Sequence, residues 1–154
     1  MNAEHLKRGA ALYFANKCYA VASEVGLNKH GGLRADLLAV NMAADIVVVE
    51  VKSSVADFRQ DRKWWNYIDY GNRLYFCISP AVYEKIFDLI PKGIGILVVD
   101  EFGTAKVKQP AQRRVMDEAI NKNVIIRMLF RDSMVSRYRR SKNQVLRASD
   151  LKEV

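Results

Sequence analysis

The sequence predicts a mixed α/β domain, a central sheet with helices packed against it. Three observations carry that expectation. Two apolar runs, at 45–53 and 93–100, have the length and the Val and Ile content of buried strands. Segments with apolar residues at helical spacing alternate with such strand-like runs. The chain has 154 residues, half of them hydrophobic and 27% charged, which suits one compact domain and excludes a largely disordered chain.

In chain order, residues 3–17 suit a helix, because Leu6, Ala10, Tyr13, Phe14 and Lys17 follow the 3.6 period. Residues 19–25 alternate as a strand does, and 28–32 form an Asn/Gly turn cluster. Strands are expected at 34–40 and 45–53. Their connector, 41–44, is short enough for a hairpin. A helix is expected over 54–70, with Ser54 as N-cap and no Gly or Pro until Gly71. A strand at 73–79 follows. Pro80 opens a helix to about Ile90, which Pro91 and Gly93 end. Strand 93–100, a short edge strand at 104–108 and a long helix from about 112 to 140 complete the chain. Residues 1–112 form the expected core. Residues 113–154 form a basic helix and tail expected to pack on the same domain.

Composition removes several function classes. Two cysteines, Cys18 and Cys77, exclude a disulfide-stapled scaffold and a Cys-rich zinc site, and both read as small buried hydrophobes. No apolar run approaches the roughly 18 residues of a membrane span. The N-terminal stretch is charged and amphipathic rather than a secretion signal, so the expected compartment is the cytoplasm. The net charge of +8 is uneven: residues 122–147 hold eight basic residues and one acidic residue. Such a segment can neutralise nucleic-acid phosphates, and acidic lipid or an acidic partner fits the charge as well.

The hairpin is the most informative segment. Centred on Ala43, it sets Asp36 opposite Glu50. Side chains alternate along a strand, so Lys52 shares the face of Glu50 while Val51 points the other way. Two carboxylates and an ammonium then meet on an apolar sheet. Carboxylates so close repel, and one holds its proton unless a cation lies between them. Lys52 supplies part of that charge. A hard divalent cation such as Mg²⁺, which takes oxygen ligands and keeps several waters, supplies more. A Glu-x-Lys pair in a strand is commonly just a surface ion pair, and only the upstream Asp makes this one unusual.

The chain resembles a known family over about Glu24 to Val99. The resemblance rests on Glu24, Arg34-Ala35-Asp36-Leu37, Glu50-Val51-Lys52-Ser53-Ser54, Asp57-Phe58-Arg59, Asp61, Lys63-Trp64, Tyr67 and Asn72 to Phe76. Asp36 with Glu50-Val51-Lys52 looks like the motif of the PD-(D/E)xK nuclease superfamily, and the closer match is its MmcB-type DNA-repair branch. Ala35 stands where the motif's name has Pro. The resemblance implies a restriction-endonuclease-like core, α-β-β-β-α-β, and a Mg²⁺- or Mn²⁺-dependent DNA endonuclease acting on branched or damaged DNA. It implies Asp36 and Glu50 as metal ligands with the Val51 carbonyl as a third. Lys52 is the implied catalytic lysine, Glu24 an added acidic residue, and Glu4 a weaker candidate. A non-catalytic DNA-binding module on the same fold stays open, as does RNA as the bound polymer.

Several other residues bear on partners. Arg34, Ser53 and Lys63 are candidates for contact with DNA. So are Arg137, Arg139, Arg140 and Lys142, which interleave with Tyr138 in the tail. Phe58, Trp65 and Ile68 share a helical face and read as core, while an exposed ring nearby could stack on an unpaired base. Cutting both strands calls for two active sites, which suits a homodimer.

Overall fold

The computed structural model describes residues 1–28 and 32–132. Helix α1 (Ala3–Ala15) opens on Asn2, whose side chain accepts the His5 N–H at 2.8 Å. It ends as Cys18 takes a left-handed conformation (φ 65°) and the Tyr19 N–H returns to the Phe14 carbonyl. Cys18 is therefore exposed, against expectation, because it occupies the turn that closes the helix; Cys77 is buried as expected.

Six strands follow: β1 (Ala20–Gly26), β2 (Arg34–Val40), β3 (Ile46–Val51), β4 (Arg73–Ile78), β5 (Gly95–Val99) and β6 (Ala105–Gln109). They form one sheet in chain order. The pairs β1/β2, β2/β3 and β5/β6 are antiparallel, and β3/β4 and β4/β5 are parallel. The parallel steps need crossovers. Helix α2 (Val55–Gln60) with a 3-10 helix (Trp64–Tyr70) makes the first, and α3 (Pro80–Ile86) the second. The last described element is α4 (Glu118–Asp132). The fold is thus mixed α/β, a six-stranded central sheet flanked by helices.

The sheet separates two apolar clusters. On one face, Leu6, Ala10 and Phe14 of α1 pack against Leu37, Val47, Val49 and Val99. Burial of Leu6 and of Phe14 contributes about 1.5–3 kcal/mol each. Gly9 permits the approach, since a Cβ there would lie 2.5 Å from Val99. On the other face, Leu38, Val48, Phe76 and Ile96 pack against Val82, Ile86, Val124 and Met128 from α3 and α4.

Three helices differ from expectation. The single helix expected over 54–70 breaks at 61–63, where Asp61 leaves helical geometry (φ −78°, ψ 105°). The second half winds as a 3-10 helix, so its inward face is repacked. Trp64 packs on Phe76, while Trp65 is 53% exposed. The helix from Pro80 stops at Ile86 and continues as a 3-10 turn (Phe87–Leu89). The last helix starts at Glu118 rather than near 112, because the preceding backbone is bonded elsewhere. The Arg114 N–H donates to the Asn72 carbonyl and the Gln112 N–H to Gly93. Asp117 then caps the helix by accepting from Ala119 and Ile120. The tail residues Arg137, Arg139, Arg140 and Lys142 lie outside the described residues.

Candidate active site

The β2/β3 register is the expected one. Leu37 pairs with Val49 and Val40 with Ile46, so the next step outward sets Asp36 beside Glu50. The loop is held by Asn41, whose side chain accepts from Ala43 and Asp45. Asp36 and Glu50 are bound to each other's strands. The Asp36 N–H donates to Glu50 Oε1 at 3.3 Å, and the Val51 N–H donates to Asp36 Oδ2 at 2.8 Å.

One feature of this end of the sheet is not readable from alternation. The β1/β2 pairing passes from Ser23↔Leu37 to Val25↔Ala35, leaving Glu24 and Asp36 as the step between. Ala22 and Val25, three residues apart, pack in one cluster, as do Ala35 and Leu38. Regular strands would place them on opposite faces. Both strands therefore change face at this step, and Glu24 takes φ 56° to allow it. A non-Gly residue in that conformation costs about 1–3 kcal/mol, which the surrounding pairs must offset.

Glu24 is gripped from two sides. Lys7 Nζ lies 2.7 Å from its Oε1, and Arg34 Nε is 2.7 Å from its Oε2, an ion pair without hydrogen-bond alignment. The hydrogen bond from Lys7 holds the Glu24 carboxyl below its usual range, and the Lys7 ammonium is raised in turn. The last turn of α4 adds Arg131, whose charge acts on Glu24 in the same sense. Glu4 stands apart, well exposed and 3.8 Å from Lys7.

A polar cleft of about 560 Å³ gathers these groups at the carboxyl end of β3. Glu24, Arg34, Asp36, Glu50, Val51 and Lys52 all line it, joined by Lys7, Asp57, Asp61 and Tyr67. Glu50 and Lys52 are 4% and 7% exposed. The Lys52 charge favours the ionised form of both Asp36 and Glu50, although the lysine's ion pair is with a third carboxylate. Its Nζ lies 2.6 Å from Asp61 Oδ2. Burial pushes the Glu50 carboxyl up to about 8, and the neighbouring Asp36 charge acts in the same direction. Burial also raises Asp36, against the Val51 N–H that favours its charged form. The charged pair is therefore under-compensated: Lys52 opposes both shifts, but burial outweighs it.

That deficit is the test of fit for a divalent cation, and the donor set passes it. Asp36 and Glu50 offer adjacent hard oxygens in a cleft open to water, as Mg²⁺ or Mn²⁺ requires. Among the described residues no three His, Cys, Asp or Glu side chains form a metal-binding group. The protein would thus supply two carboxylates, with carbonyl, water and phosphate oxygens completing the shell.

Of the other expected contacts, Ser53 turns its N–H to the Asp57 carboxylate at 3.1 Å. Lys63 lies outside the cleft, on a smaller neighbouring groove with Gly32, Asn66 and Tyr70. Lys7 has no mark in the sequence that joins it to Glu24, and only the docking of α1 brings it there. Tyr67, given no role by the sequence reading beyond the resemblance, sends its hydroxyl to the Arg34 carbonyl at 3.2 Å across the cleft. No helix among the described residues is long and apolar enough to cross a membrane.

Comparison with known proteins bears on most of the chain. A family model described as DNA repair protein MmcB-like matches residues 1–143. The solved structure of a protein of unknown function from Silicibacter pomeroyi is similar, with a TM-score of 0.80 at 24% identity. The match covers 95% of this chain and 97% of that one, and it shows a shared fold. No curated protein matches the chain.

Proposed function

The chain belongs to the MmcB-like DNA repair protein family, and we propose that it is a metal-dependent DNA endonuclease of the PD-(D/E)xK superfamily. Its substrates would be phosphodiester bonds in branched or damaged DNA. The observation that carries this reading is the adjacent Asp36/Glu50 pair, Asp36 half-buried and Glu50 buried, with Lys52 in the same cleft. A structural ion pair has no need to hold two carboxylates together while its lysine is bonded elsewhere.

Asp36 and Glu50, with the Val51 carbonyl, would hold Mg²⁺ or Mn²⁺. When bound, that ion polarises a phosphodiester and lowers the pKa of a coordinated water. Lys52 orients the attacking water and stabilises the negative charge that builds on the phosphoryl oxygens as the new P–O bond forms and the ester P–O bond breaks. Glu24, held by Lys7 and Arg34, supports the acidic wall of the cleft. Arg34, Ser53 and Lys63 contact the DNA backbone. Arg137, Arg139, Arg140 and Lys142, which lie outside the described residues, would add further phosphate contacts by their charge.

The test is cleavage of labelled single-stranded, duplex, flap, bulged and four-way-junction DNA with Mg²⁺, Mn²⁺ or chelator. Cutting is expected with metal only, and Lys52→Ala should abolish it while the protein stays folded. Full cutting by folded Lys52→Ala refutes the reading. DNA binding without cutting on any substrate points instead to a binding module on this fold. Competition with matched RNA tells which polymer the site prefers, and sedimentation on DNA tells whether two copies act together.

A further inference from the structure

We propose that Asp61 is a positioning residue for Lys52, its carboxylate setting where the ammonium stands beside Asp36 and Glu50. The inference rests on Lys52 acting in the nuclease reaction. It starts from the 2.6 Å contact between Lys52 Nζ and Asp61 Oδ2, in which both side chains are nearly buried. A lysine tip has four rotatable bonds and no intrinsic direction. Something must fix it if it is to meet a water or a phosphoryl oxygen within a few tenths of an ångström.

Three features make Asp61 suited to that task. Its carboxylate is itself fixed, because Oδ1 accepts the Lys63 N–H at 2.8 Å while Oδ2 faces the lysine. Its backbone is fixed too. Phe58 before it and Trp64 after it both pack edge-on against Phe76, at 5.3 and 5.7 Å between ring centres. Phe76 is fully buried in β4, the strand that pairs with β3. The base of Lys52 is held by the same neighbour, since its N–H donates to the Cys77 carbonyl at 3.0 Å. Both ends of the ion pair are thus referred to adjacent residues of one strand.

The break in the crossover helix has the same cause. An unbroken helix over 54–70 would satisfy the local pattern, yet the chain leaves helical geometry at Asp61. The interruption gives up hydrogen bonds that a continuous helix would keep, and the turn it forms delivers the carboxylate to Lys52.

Steady-state cleavage by the full chain tests this, on the DNA that the wild type cuts best, with Mn²⁺ titration and thermal melts. Asp61→Asn should lower kcat roughly 100-fold while leaving KM for DNA and the half-saturating Mn²⁺ within about twofold. Asp61→Glu keeps the charge and should recover roughly tenfold of that loss. If Asp61→Asn melts below the assay temperature, Asp61→Glu decides: a roughly tenfold lower kcat at unchanged KM supports the role, and an unchanged kcat overturns it. Wild-type rates in folded Asp61→Asn overturn the role and leave the nuclease reading intact. A loss carried equally by KM and Mn²⁺ affinity also overturns it. A wild type that binds every DNA and cuts none removes both readings.

Discussion

The two ends of the β2/β3 hairpin hold the same kinds of side chain in opposite electrostatic states. At the turn end, Asp45 is met by Arg113 through two hydrogen bonds of 2.9 Å and by Arg73 at 3.4 Å. The Arg113 contact, chiefly, holds the Asp45 carboxyl below its usual range. At the open end, burial raises both Asp36 and Glu50. One end has an acid with two cations. The other has two acids whose lysine is bonded to a third. The first arrangement pins the segment before α4 to the sheet and asks for nothing more. The second is unbalanced and invites a cation from outside.

The sharpest way to break this contrast is to neutralise one acid at each end. Asp36→Asn should lower metal-dependent cleavage by roughly a thousandfold or more, on the scale of losing a group that acts only in the transition state. Asp45→Asn should cut at close to the wild-type rate. Equal loss from the two substitutions, in folded proteins, would mean that the open end has no special role.

A second effect, on the order of 3–5 kcal/mol, concerns stability without metal. Between pH 4.5 and about 8 the folded protein keeps a proton on Glu50 that the unfolded chain has released. The folded state therefore binds more protons in this window, and stability falls as pH rises through it. Chemical denaturation of metal-free protein at pH 5 and pH 8 measures the drop. Glu50→Gln should remove most of it. Excess Mn²⁺ should offset it in the wild type and not in Glu50→Gln, because a ligand that binds only the folded state stabilises that state. A flat pH response in the wild type would show that the pair is already balanced.

The smallest effect belongs to the turn end. Asp45→Asn should lower the melting temperature by only a few degrees near neutral pH. Because the folded carboxyl is held low, its stabilisation is present above the ordinary carboxylate pKa and fades as pH falls through the folded value. Melting curves of wild type and Asp45→Asn should therefore converge in acid, which is the opposite direction from Glu50.

Much of this contrast was legible in the sequence. The hairpin register follows from a short connector and two apolar strands, and it alone places Asp36 beside Glu50. Asp45 gave no such signal, since its partner Arg113 lies 68 residues away. The same limit applies to Lys7 and Glu24, which meet only when α1 docks on the sheet.

The sequence by itself therefore determined the order of elements, the two-faced sheet and the acidic pair with its lysine. These depend on period and spacing within a few turns or one hairpin, which short-range sterics and burial enforce. The tertiary structure alone decided the break at Asp61, the inward choice of Trp64 over Trp65, the late start of α4 and the partner of Lys52. The first three trade a locally satisfactory helix for contacts with another element. Local periodicity does not encode such a trade, because its compensating energy comes from packing, hydrogen bonds and an ion pair between different elements.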